Sequence, residues 1–180
     1  LNAVRSKVRS GVTAPASFTG IAKIVHEMRL RKRPDEIAIM QRAVDISVQA
    51  HQKVIQACKP GCYEYELEAI LMHEFMRNNA RYAAYDSIVG AGRNSCVLHY
   101  KASQDQCLDG DVLLVDAGCE LANYASDLTR TMPINGRFTP EQKAIYEIVL
   151  NAQLAAIDAV KPGSLRDAPE RAAVEVITDG

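Results

Sequence analysis

Val112-Leu113-Leu114-Val115-Asp116-Ala117, answered by the segment from Tyr124 to about Ile134, is the stretch that decides the fold. The first segment is a nearly unbroken apolar run opened by the turn signal Asp109-Gly110, which predicts a buried strand. The second predicts its mate, and Pro133 confines that end to a sheet edge or a strand terminus. Together they predict an antiparallel hairpin turning near Leu121-Ala122.

In a symmetric hairpin of that kind Asp116 stands directly opposite Asp127, with Cβ atoms roughly 4.5–5.5 Å apart on one face. Asp116 shares its face with Val112 and Leu114, which predicts burial. Like charges opposed across a sheet destabilise it, and buried carboxylates need partners. Three arrangements relieve the conflict: a shared proton, a bridging arginine such as Arg130, or a cation between the two. Carboxylate oxygens suit magnesium, calcium or manganese, or a mixed site completed by histidine.

Upstream of the hairpin the period changes. Pro34 and the acidic pair Asp35-Glu36 open a helix carrying Ile37, Met40, Val44, Ser47/Val48, His51 and Ile55 at helical spacing. Lys59-Pro60-Gly61 stops it. A second helix shows Leu67, Ile70, Leu71 and Phe75 as one stripe and ends at Asn78-Asn79. His51 falls on the stripe of the first helix and is expected as a packed core residue, whereas His73 lies off its stripe and is expected in solvent. Ser87–Gly90 and Cys96–Leu98 read as short strands separated by the loop Ala91–Ser95.

Downstream, Thr139-Pro140-Glu141-Gln142 opens a further helix with a capping box and a proline at the first helical position. Lys161-Pro162-Gly163 closes it. Helix, Lys-Pro-Gly, helix therefore occurs twice, over residues 34–79 and again over 140–180. A second set of strands is expected to follow the second pair, as strands follow the first; chance reuse of a common helix stop is the other explanation. Residues 1–33 are the least regular and read as a connector with a short helix near Val4–Val8. The basic run Arg29–Arg33 reads as a solvated linker.

Composition excludes several classes. Hydrophobic residues make up 48% and charged residues 24% of the 180, which is ordinary for a globular domain. A net charge of −1 and a pI near 6.5 give no bulk attraction to nucleic acid or anionic membrane. Five cysteines without paired metal spacing, and no leader pattern, predict reduced thiols in a cytoplasmic setting.

Several ordered motifs resemble a known family. Tyr85-Asp86-Ser87-Ile88-Val89-Gly90-Ala91-Gly92, Leu98-His99-Tyr100, Asp109-Gly110-Asp111, Asp116-Ala117-Gly118-Cys119-Glu120 and Ser126-Asp127-Leu128-Thr129-Arg130-Thr131 are similar to Xaa-Pro aminopeptidases of the pita-bread metallopeptidase family. Asn135-Gly136-Arg137-Phe138-Thr139 continues the match. The resemblance implies an α+β fold: a partial pita-bread domain of helix pairs on a curved, mainly antiparallel sheet, its second half cut short. It assigns residues 25–180 to that domain and 1–24 to the end of a preceding one.

The resemblance also implies chemistry. Two divalent ions, manganese by family habit, would be held by Asp116 and Asp127 together with a histidine and two glutamates that fall outside this sequence. His99 matches a histidine that holds substrate or stabilises the reaction intermediate, and Tyr85 matches a tyrosine beside the metals. The implied reaction is hydrolysis of the bond between an N-terminal residue and a following proline, by an activated water. Peptides with proline second are the expected partners, with no nucleic acid and no membrane. The isolated chain is expected to be inactive, to bind metal weakly and to self-associate through uncovered apolar surface. Alternatives are a prolidase-type dipeptidase, a non-catalytic pita-bread module binding protein or RNA, and a short natural chain completed by a partner.

Overall fold

The computed structural model describes residues 2–7, 11, 15 and 19–180. It divides into two compact units, Leu1–Ala38 and Ile39–Gly180. The first contains helix α1 (Asn2–Arg5), at the start of the stretch where a helix is expected; Val8 lies outside the described residues. It also contains helix α2 (Ala22–Leu30), where the sequence reads as connector and Arg29 as linker. No residue of α2 is buried.

Helix α3 (Pro34–Ala57) and helix α4 (Glu64–Arg77) form where expected, and α4 buries Leu67, Leu71 and Phe75 of its stripe. On α3 the expected stripe is corrected: Ile37, Val44, Val48 and Ile55 are exposed, and the buried face is Ala43, Ile46, Ser47, Ala50, His51 and Val54, whose small residues let Cys119 and Ser126 approach the helix. Ala43, Ile46, Ala50 and Val54 of α3 and Leu67, Leu71 and Phe75 of α4 join Val89, Leu113, Val115 and Ala117 in one core cluster. Full burial of side chains such as Phe75 and Leu71 contributes about 1.5–3 kcal/mol each relative to exposure. His51 is 2% exposed, as its stripe position requires, and His73 is exposed.

Six strands follow: β1 (Tyr82–Ala83), β2 (Ile88–Ala91), β3 (Val112–Asp116), β4 (Cys119–Leu121), β5 (Tyr124–Ala125) and β6 (Thr129–Pro133). They make two antiparallel three-stranded sheets, ordered β2-β3-β6 and β1-β4-β5. The expected strand at Cys96–Leu98 is absent. Residues Gly92–Cys96 form a 3-10 turn in which the Ser95 hydroxyl donates to the Gly92 carbonyl, and Val97 and Leu98 are exposed. An apolar triplet with no neighbouring strand to pair has nothing to hold it extended.

The hairpin forms, with two corrections. Its turn is Ala122-Asn123, both at positive φ (49° and 67°) as a two-residue type I′ turn requires. This lies one residue beyond the expected Leu121-Ala122, because Asn123 tolerates the left-handed region and Leu121 is needed in the core at 8% exposure. The register follows: Glu120 pairs with Ala125 and Asp116 with Thr129, so Asp127 is a diagonal neighbour of Asp116. The second correction concerns burial. Leu113 and Val115 face the core, while Val112, Leu114 and Asp116 occupy the half-buried face.

Both arms of the hairpin break at the same level, at Ala117-Gly118 and at Ser126–Leu128. The strands cross there at van der Waals contact: a Cβ on Gly118 would lie 1.8 Å from the Ser126 carbonyl oxygen. A buried hydroxyl pair fixes the corner against α3. Ser47 Oγ and Ser126 Oγ are 2.8 Å apart, and the Cys119 N–H donates to Ser126 Oγ at 2.9 Å.

Helix α5 (Pro140–Asp158) starts with the capping box read from sequence, Gln142 N–H donating to Thr139 Oγ1 and Thr139 N–H to Gln142 Oε1. Helix α6 (Ala168–Asp179) packs on α5. The second helix pair exists, but its apolar residues Ile145, Val149, Leu154, Val174 and Ile177 are all more than half exposed, while Ala152 is buried. An apolar cavity of about 630 Å³ lies between β6 and α5, lined by Thr131, Phe138, Ile145 and Val149 among others. Among the described residues no helix is long and apolar enough to cross a membrane.

Candidate metal centre

The corner of the hairpin places two carboxylates on one side. Asp116 ends β3 and Asp127 lies in the break before β6. Tyr85, between β1 and β2, sends its hydroxyl to both: it donates to Asp116 Oδ1 at 2.6 Å and lies 3.0 Å from Asp127 Oδ1. Partial burial, reinforced by the Asp116 hydrogen bond and charge, pushes the Tyr85 hydroxyl well above the usual tyrosine range, so it stays protonated as a donor.

Tyr85, Asp86, Ile88, His99, Lys101, Asp116 and Asp127 line one cavity of about 370 Å³. The four residues singled out from sequence therefore meet. Asp86 and Lys101 join them without a chemical signal of their own in the sequence; they pair at 2.5 Å, and the Lys101 ammonium holds the exposed Asp86 carboxyl below its ordinary value. Asp86 directly follows Tyr85 and Lys101 lies two residues after His99, so proximity in sequence is the available signal. Arg130 does not bridge the aspartates. Its side chain donates to the Thr129 carbonyl, and it pairs in register with Val115, not with Asp116.

The donor set fits a hard divalent cation in part. Neither aspartate forms an ion pair among the described residues, and one hydroxyl is shared between two like charges. Among the described residues no third His, Cys, Asp or Glu completes a metal-binding group. Two carboxylates alone leave such an ion largely hydrated.

The cysteines give a different picture from their spacing. Cys62 and Cys107 are buried on adjacent segments, with the Cys107 N–H donating to the Cys62 carbonyl at 2.8 Å, and Cys58 lies close by. All five are free. Burial, with the neighbouring Cys62 thiol, pushes Cys58 up to about 11.

Residues 38–180 match the description "Metallopeptidase family M24". The chain is 46% identical over 164 residues to the Xaa-Pro aminopeptidase of Escherichia coli and 48% identical over 141 residues to that of Haemophilus influenzae. Those alignments cover 91% and 78% of this chain but 37% and 33% of the relatives, so it spans about a third of their length. In structure it matches Pseudomonas aeruginosa aminopeptidase PepP (TM-score 0.93, 48% identity, 99% of this chain and 40% of that one). A variant of Escherichia coli aminopeptidase P in complex with substrate matches equally (TM-score 0.94, 42% identity, 99% and 41%). The mixed helix and antiparallel-sheet architecture is that of the aminopeptidase P structures, and the chain belongs to metallopeptidase family M24.

Proposed function

We propose that this chain is part of a metal-dependent aminopeptidase that removes the N-terminal residue of peptides with proline in second position. The observation that carries this reading is the convergence of Asp116 and Asp127 on the Tyr85 hydroxyl, with no ion pair to either among the described residues, in a cavity shared with His99. The named relatives support the aminopeptidase over a prolidase-type dipeptidase, and retention of both aspartates speaks against a non-catalytic module.

Asp116 and Asp127 would hold two divalent ions, manganese in this reading, with further ligands from polypeptide outside the described residues. Such ions polarise a scissile carbonyl and lower the pKa of a bound water. Tyr85 keeps both carboxylates turned into the cavity and, held protonated, adds no negative charge to them. His99, on the rim, would hold the substrate near its reacting bond. A cytoplasmic setting suits the five free thiols. The exposed face of α5 and α6 supports self-association of the isolated 180-residue chain, whereas the whole protein is expected as a homo-oligomer.

The test is cleavage of an Xaa-Pro-containing peptide by the protein at its relatives' full length, with Mn2+ and then with a chelator. Cleavage that stops on chelation and is lost in Asp116→Asn supports the proposal; cleavage indifferent to chelator, or none, sinks it. Residues 1–180 alone should give no manganese-dependent cleavage.

A further inference from the structure

Glu64, the first residue of α4, is fully buried. Among the described residues four donors reach its carboxylate, all from outside its own helix. Oε1 accepts from the Ala91 N–H at 2.7 Å and Asn94 Nδ2 at 3.0 Å; Oε2 accepts from the Tyr100 hydroxyl at 2.8 Å and the Asp105 N–H at 3.0 Å. Asn94 Nδ2 also reaches Tyr100 Oη at 3.1 Å and Asp105 Oδ2 at 2.8 Å. One carboxylate therefore ties both ends of the segment 91–105 to the start of α4, where the helix dipole favours negative charge.

His99 lies inside that segment. Its φ is +56°, and Ser103 beyond it stands at +49°. Non-glycine residues hold such backbone only where the surroundings over-determine it, and they gather where side-chain aim matters. No hydrogen bond among the described residues tethers the His99 ring, and Val97 and Leu98 before it are exposed. Its aim into the cavity of Tyr85, Asp116 and Asp127 is set by backbone, and the adjacent anchor of that backbone is Tyr100.

We infer that Glu64, through Tyr100, is a positioning residue for His99: a buried carboxylate outside the cavity that fixes where the imidazole stands within it. This rests on the proposed function only for its effect on turnover. Tyr100→Phe removes the bond to Glu64 and the one Tyr100 Oη accepts from Asn94, and leaves Ala91, Asn94 and Asp105 on Glu64; Glu64→Gln turns one acceptor into a donor facing other donors.

The test is made on the whole protein carrying Tyr100→Phe, with Glu64→Gln beside it, against wild type. The NMR signals of the His99 imidazole, assigned with His99→Ala, are followed together with manganese content and steady-state kinetics. The expected result for Tyr100→Phe is a shifted or broadened imidazole signal and a kcat lowered roughly 10–100-fold, the scale of a displaced reacting group, with manganese content retained. An imidazole signal identical to wild type, or a loss of kcat that only tracks loss of metal, overturns the inference. Because the imidazole signal needs neither metal nor peptide, a protein that cleaves nothing would sink the peptidase proposal and still decide this one.

Discussion

Asp116 and Asp127 are diagonal neighbours across a bent hairpin whose carboxylates meet at a single hydroxyl, that of Tyr85, at 2.6 and 3.0 Å. Two like charges on one donor are balanced only while a proton or a cation joins them.

Tyr85→Phe removes the shared donor. In the metal-free whole protein it should cost about 1.5–3 kcal/mol, the range for hydrogen bonds to charged groups, and added Mn2+ should restore most of the lost stability. Thermal melts with and without the ion check this. A variant as stable as wild type in the absence of metal contradicts the bridging role.

Gly118→Ala places a methyl group 1.8 Å from the Ser126 carbonyl oxygen, where both neighbours are backbone. The corner has to open, which should destabilise the fold by about 3 kcal/mol or more. Because Ser126 precedes Asp127, metal binding should weaken with it. Denaturant melts and soluble yield report the first effect; a fully stable Gly118→Ala protein would show that the close crossing is not needed.

Stability should fall at alkaline pH through Cys58. Burial raises its folded value from 9.0 to about 11. Between those values the unfolded chain has lost the proton and the folded chain has kept it, so the contribution is intact below pH 9 and disappears as pH climbs towards 11. Urea midpoints measured across that window should decline less steeply in Cys58→Ser than in wild type; parallel declines would remove Cys58 from the account.

Much of this was legible in the sequence, for identifiable reasons. The helical spacing in α3 and α4 and the Thr139 capping box are local patterns that gave the helices directly, but the α3 face was misplaced because its buried positions include the small residues Ala43, Ser47 and Ala50 rather than Val44 and Val48. The pairing of Asp116 with Asp127 was legible to the right face but not the right rung, since an Ala-Asn turn carries a weaker register signal than Asn-Gly. Ile24, Val25 and Met28 stand at helical spacing in α2, yet the charges between them hid the helix. Glu64 left no trace in sequence. Its four donors lie 27 to 41 positions downstream, and only the folded chain brings them to one carboxylate.

The most direct measurement is the manganese content and affinity of the whole protein with Asp116→Asn and Asp127→Asn, by elemental analysis and titration calorimetry. If these carboxylates hold the ions, each substitution should weaken binding by more than about 100-fold, exceeding what the loss of a residue that merely orients a ligand causes. Wild-type content and affinity in both variants would contradict the metal centre and, with it, the peptidase reading.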